Sequence, residues 1–186
     1  YFASGRAGGF GGRDIWVTHL LPNGKWGNVE NLGEAVNTSG DESCPFMHAD
    51  NETLYFNSNG HQGYGGTDLF LAKKTNEGFT APQNLGYPLN TIDDEGSLFV
   101  TSDASTGFFA SDRADSKGGL DIYSIQLYKS IQPNSSSWVE GRIYDSLTGK
   151  GISGLVEVID LQSKVLISEV EADDKGHYLS ILPLGK

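Results

Sequence analysis

Apolar and polar residues come in short alternating bursts over the first two thirds of the chain, and no window repeats at the 3.6-residue spacing of an amphipathic helix. Ser43 to His48 is a short apolar run, closed by the turn Asp50-Asn51-Glu52. Thr53 to Ser58 and Asp68 to Lys73 are β-rich, with a Gly-rich loop between them. Thr75-Asn76-Glu77-Gly78 turns the chain, and Phe79 to Leu85 is expected as a further strand. The pattern predicts an all-β protein.

The bursts recur. Tyr1-Phe2-Ala3-Ser4 returns as Tyr55-Phe56-Asn57-Ser58 and as Phe108-Phe109-Ala110-Ser111. Each copy leads into a Gly-rich loop that ends in Asp, at Asp14, Asp68 and Asp121, and each aromatic pair starts 13 residues before its Asp. Trp26, Asn31-Leu32-Gly33, Asn37-Thr38, Asp41-Glu42 and Asp50 match Phe79, Asn84-Leu85-Gly86, Asn90-Thr91, Asp94-Glu95 and Asp103, all at an offset of 53. A one-residue slip falls between Asp14 and Trp26, where Pro22-Asn23-Gly24 signals a hairpin turn that tolerates length change. Short strands repeated at this period are the signature of propeller blades.

The run YFASGRAGGFGGRDIW, followed by W-G-x-V-x-NLG and NTSGDE, resembles the TolB-like, WD40-like propeller repeats of Bacteroidota envelope proteins. The resemblance covers residues 1–127 and implies a partial β-propeller of about two and a half four-stranded blades. Propellers close with roughly four to eight blades, so further blades are expected upstream.

Residues 128–137, YKSIQPNSSS, carry Pro and a Ser run and are expected to be a linker. From Trp138 the Gly-rich loops stop. Val139 to Tyr144, Leu155 to Asp160, Val165 to Ala172 and His177 to Leu182 are the expected strands, with a hairpin turn at Asp173-Asp174-Lys175-Gly176. V-x-G-R-I-Y-D-x-x-TGKGI-x-G-x-V-x-V and the later D-K-G-x-Y turn resemble the carboxypeptidase regulatory-like domain. For 138–186 this implies a transthyretin-like β-sandwich, incomplete at its C-terminal end.

Charge narrows the function. The net charge is −11 and the pI about 4.6, with no basic cluster. Nucleic-acid phosphates and anionic membrane surfaces both call for Lys and Arg, so neither is an expected partner. No apolar run approaches the roughly 18 residues of a spanning helix, so no direct membrane insertion is expected. The single Cys forms no internal disulfide, no Cys/His spacing suggests zinc, and no cofactor is expected.

Candidate chemistry is sparse. Asp14, Asp68 and Asp121 could be calcium ligands with loop carbonyls, or could hydrogen-bond loop N–H groups and set the following strand. Recurrence in every repeat favours the structural role. Asp41-Glu42 and Asp93-Asp94-Glu95 share one repeat position, which suggests a solvated connection rather than acid–base chemistry. Cys44 is expected as a small core residue, and His19, His48, His61 and His177 as surface or turn residues. No G-x-S-x-G or H-E-x-x-H motif occurs. Arg6, Arg13 and Arg113 lie in the Gly-rich loops as a candidate partner surface, although Arg6 and Arg113 share a repeat position and could equally stabilise the repeat.

The order of the two domains resembles periplasmic proteins of the OmpA family in Bacteroidota. That resemblance implies a non-enzymatic scaffold or docking segment, periplasmic and associated with the outer membrane, within a secretion or outer-membrane complex. The implied partners are outer-membrane or periplasmic proteins, with peptidoglycan reached only through an OmpA-like domain outside this sequence. A carbohydrate- or peptide-binding propeller, or the propeller part of a hydrolase, is the alternative, and an aromatic-rich pocket would favour ligand binding.

Overall fold

The computed structural model describes residues 1–21 and 24–184. Pro22 and Asn23 of the hairpin-turn signal lie outside the described residues. The chain forms two compact units, Tyr1–Pro133 and Asn134–Lys186. Among the described residues both are built from strands, with one 3-10 turn at Lys129–Ile131. No helix among the described residues is long and apolar enough to cross a membrane.

Unit 1 holds three antiparallel sheets, one for each sequence repeat. The first runs β1 (Phe2–Ser4), β2 (Asp14–Val17), β3 (Glu30–Asn31). The second places β4 (Glu42–Met47), β5 (Thr53–Ser58), β6 (Asp68–Thr75) and β7 (Gly78–Phe79) side by side, with β8 (Gln83–Asn84) also on β6. The third is β9 (Glu95–Val100), β10 (Thr106–Ser111) and β11 (Asp121–Gln126). The strand expected over Phe79 to Leu85 is thus two short pieces. Pro82 stands between them, and a residue without an N–H cannot join a ladder.

Alternation along β5 shows how the sheets are held. All six of its residues are buried, because both faces are covered. Leu54 and Phe56 pack with Phe70 and Ala72 against Ile15 and Val36 of the first repeat. Tyr55 packs with Leu69, Leu71, Leu85 and Leu89 against Leu98, Val100, Phe109, Leu127 and Ile131. The period of two sends successive side chains to opposite neighbours, so one strand contributes to two cores.

The expected linker over 128–137 is largely structured. Ile131 is buried in the second core, and its carbonyl accepts the Tyr55 hydroxyl at 2.6 Å. Tyr128 donates to the Leu85 carbonyl, and Ser136 and Ser137 already belong to a strand. The boundary between the units falls within it, after Pro133, and the side chains of Tyr128 and Ile131 tie its first half to unit 1.

Unit 2 contains two two-stranded sheets. β12 (Ser136–Arg142) pairs with β15 (His177–Pro183), and β13 (Gly154–Ile159) with β14 (Leu166–Ala172). Among its described hydrophobic residues only Ala172 is buried, whereas Trp138, Leu155, Leu161, Val165 and Leu179 are exposed.

Candidate functional site

The loop aspartates close their own loops. Asp14 accepts the Phe10 and Gly11 amides at 2.7 and 3.1 Å and the Asn31 side-chain amide at 2.7 Å. Asp68 accepts the Tyr64 and Gly65 amides at 2.8 and 3.1 Å, and Asp121 accepts the Lys117 amide at 2.6 Å. Asp68 Oδ1 and Asn84 Nδ2 are the two buried side-chain atoms without a partner among the described residues. They are the repeat equivalents of the bonded Asp14–Asn31 pair. Glycine is required beside these carboxylates: a Cβ on Gly63 would stand 1.7 Å from Asp68 Oδ2, and one on Gly9 2.7 Å from Asp14 Oδ2.

Asn37 and Asn90 act as one-residue strands. Asn37 accepts the Ile15 amide at 2.7 Å and donates to the Ile15 carbonyl at 3.0 Å; Asn90 does the same to Leu69, both at 2.8 Å. Each also donates to the preceding Asn, Asn31 or Asn84. These bonds fix the connection that leads into the next repeat.

At the end of that connection the carboxylates expected to be solvated divide: Asp41 and Asp94 are exposed, but Glu42 and Glu95 are buried. Glu42 accepts the Thr38 amide, the Thr38 hydroxyl and the Ser58 hydroxyl at 2.8, 2.6 and 2.7 Å. Glu95 takes the same three donors from Thr91 and Ser111 at 3.1, 2.8 and 3.2 Å. Both residues are at most 1% exposed. Burial without enough compensation pushes the Glu95 carboxyl above the usual glutamate range, against the pull of the Thr91 and Ser111 hydrogen bonds and of Arg113. Sequence held the signal, N-T-x-x-D-E repeated at constant spacing, but not the burial.

Arg113 is a correction to the candidate partner surface. Its side chain is 17% exposed, donates to the Pro88 and Leu89 carbonyls at 3.1 and 3.0 Å, and lies 3.6 Å from Glu95. Its guanidinium sits over the Phe109 and Tyr123 rings, a cation–π arrangement that turns it inward. In the second repeat His61 takes this place one position later in the chain, reaching the Val36 carbonyl at 2.8 Å between the Phe56 and Phe70 rings. Arg6 has the same posture over Phe2 and Trp16 but remains exposed. Arg13 also has an exposed side chain, and its backbone carbonyl accepts the Glu42 amide at 2.7 Å.

No family model matches the chain, and no curated protein matches it. Among the described residues no three His, Cys, Asp or Glu side chains converge to hold a metal.

Two further findings bear on single residues. His48 opens a turn, its carbonyl accepting the Asn51 amide at 3.0 Å, but it is buried there instead of on the surface; its Nδ1 accepts the Asp50 amide at 3.1 Å and its Nε2 contacts the Thr101 carbonyl at 3.0 Å. With Nδ1 accepting, the proton belongs on Nε2. Cys44 is exposed instead of buried, because β4 bulges there and Cys44 takes a φ of 49°. It borders a cleft of about 460 Å³ that also involves Phe46, Phe99, Phe108 and Ile122. The Phe46 and Phe99 rings, with centroids 5.0 Å apart, pack against each other in its wall.

Proposed function

We propose that unit 1 is a run of consecutive β-propeller blades and that the chain is a non-enzymatic docking scaffold of the bacterial envelope, periplasmic and outer-membrane associated. The observation that carries this reading is the joint built twice from the same residues. Thr38–Glu42–Ser58 and Thr91–Glu95–Ser111 fasten the first two strands of a sheet to the connection that leads into it, at the same register each time. A stack assembled by one repeated clasp is rigid, and its buried carboxylates are engaged in holding backbone and hydroxyl groups. Contacts to other molecules then fall to exposed loops and edges. The partners are outer-membrane or periplasmic proteins, with peptidoglycan reached through a domain outside this sequence. Capture from envelope extracts tests the reading with the intact polypeptide and a version lacking residues 1–133. Envelope proteins should be retained by the first and lost by the second; unchanged capture assigns docking elsewhere.

A second reading, a carbohydrate- or peptide-binding module, is favoured by the cleft at Phe46, Phe99 and Phe108. Aromatic walls with few polar groups suit stacking of a sugar or apolar side chain. An oligosaccharide and peptide panel should then show saturable binding that Phe99→Ala abolishes. Binding that survives that change removes this reading.

A further inference from the structure

Asn59-Gly60 heads the second Gly-rich loop, where the third repeat has Asp112-Arg113. Both Asn59 and Gly60 are exposed. Asn59 and Asp41 pair in both directions. Asn59 Oδ1 accepts the Asp41 amide at 2.7 Å, and the Asn59 amide donates to the Asp41 carbonyl at 3.2 Å. Asn59 Nδ2 makes no hydrogen bond among the described residues. One residue on, the Gly60 amide donates to Ser58 Oγ at 3.0 Å, and the Ser58 hydroxyl donates in turn to the Glu42 carboxylate at 2.7 Å.

These contacts suit one reaction. A backbone nitrogen can attack the side chain of the preceding Asn if the carbonyl is polarised, a base takes the N–H proton, and the approach is open. The Asp41 amide polarises, since it donates to the oxygen on which negative charge develops. Ser58 and Glu42 supply the base: a proton leaving Gly60 N passes to Ser58 Oγ as the serine's own proton passes to the carboxylate. Gly60 has no Cβ to obstruct the close approach.

We propose that Asn59 is a self-modifying site, converted to aspartate and isoaspartate through a succinimide, with Glu42 as the base acting through Ser58. Gly60 N bonds to Asn59 Cγ, the Cγ–Nδ2 bond breaks, and the Nδ2 group leaves as ammonia with the proton that the relay returns. Water then opens the ring. Opening at Cγ gives aspartate; opening at the main-chain carbonyl gives isoaspartate, with one more methylene in the backbone. The aspartate product is a residue the chain already uses in this place. Asp112 Oδ1 accepts the Asp94 amide at 3.0 Å, and the Asp112 amide donates to the Asp94 carbonyl at 3.4 Å. Conversion to aspartate therefore keeps the pairing with Asp41 and adds a negative charge beside it.

The test incubates the 186-residue chain at neutral pH, with samples digested over time. Mass spectrometry of the peptide carrying residue 59 follows the amide-to-acid change, and isoaspartyl methylation measures the second product. Asn59 should convert at least about tenfold faster in the native chain than in urea above the unfolding midpoint, a fraction of what positioned acid–base groups supply. Glu42→Gln, checked for a native circular dichroism spectrum, should slow native conversion to the unfolded rate. If that variant does not fold, the comparison with urea decides alone. Asn59→Asp should unfold at the wild-type urea midpoint. An Asn59 that stays intact, or converts no faster folded than unfolded, overturns the proposal. So does a folded Glu42→Gln chain that converts at the wild-type rate. A lowered midpoint for Asn59→Asp overturns the fit of the product.

Discussion

Glu42 shows how much one side chain holds here. Its carboxylate accepts two donors from Thr38, four residues before it, and one from Ser58 on the neighbouring strand, and it is fully buried. Glu42→Gln puts an amide nitrogen where an acceptor is needed, leaving a buried donor unpaired. The expected cost is about 1–3 kcal/mol, read from urea unfolding; an unchanged midpoint would mean the clasp contributes little. Glu95 adds a pH signature. Because burial raises its carboxyl above the usual range, the native state keeps a proton that the unfolded chain has already released. Its contribution to stability is full in acid and declines as pH rises from the ordinary glutamate range through the raised value. The stability advantage of wild type over Glu95→Gln should therefore shrink with rising pH across that window. A gap that widens would reverse the assignment. Asp103, Asp145, Asp160 and Asp173, held below the usual range mainly by turn hydrogen bonds, act in the opposite sense as pH falls.

At the scale of elements, the Gly-rich loops and the paired strands make separate demands. A Cβ on Gly65 would stand 2.3 Å from the Asp93 carbonyl oxygen and one on Gly11 2.3 Å from that of Gly40, so these loops lie directly on the connection to the next repeat. Gly65→Ala should cost about 1–3 kcal/mol, as forced overpacking does; a neutral result would show that the loop can lift away. Gly118 and Gly119, at the equivalent places in the third loop, instead have φ of 131° and 124° with open space beside them. In unit 2, Glu157 stands directly opposite Glu169 on the exposed face of β13 and β14. Like charges in that relation destabilise, so Glu169→Lys should raise stability by about 0.2–1 kcal/mol. High salt should shrink the gain, and a loss of stability would contradict it.

Across the whole molecule the two units differ in what they bury. Unit 1 has two apolar cores that share β5 and β6, and unit 2 leaves most of its large apolar side chains exposed. Amide exchange should be slowest in β5 and β6 and fastest in β13 and β14; equal protection in both units would refute this. The period, the all-β class and the bounds of β5 were legible because alternation and recurrence are local signals. The roles of Glu42, Glu95 and Asn37 were visible only as recurrence, since their partners come from other segments. Arg113 was legible as one of two alternatives through the position it shares with Arg6, whereas His61 escaped because it does the same job one position later, which spacing alone cannot align. Cys44 escaped because a bulge reverses which side of the strand it faces.

The clasp has a consequence for how such a chain can change length. Every joint is written in residues that recur with the repeat, so the stack is a set of interchangeable cassettes. Excising Tyr55 to Gly107, one period of 53 residues, would join Leu54 to Phe108. Ser111 would then meet Glu42, and Arg113 would reach the carbonyl that His61 now holds. The cut ends match without a new contact being invented, which allows whole repeats to be gained or lost while partial ones are rejected.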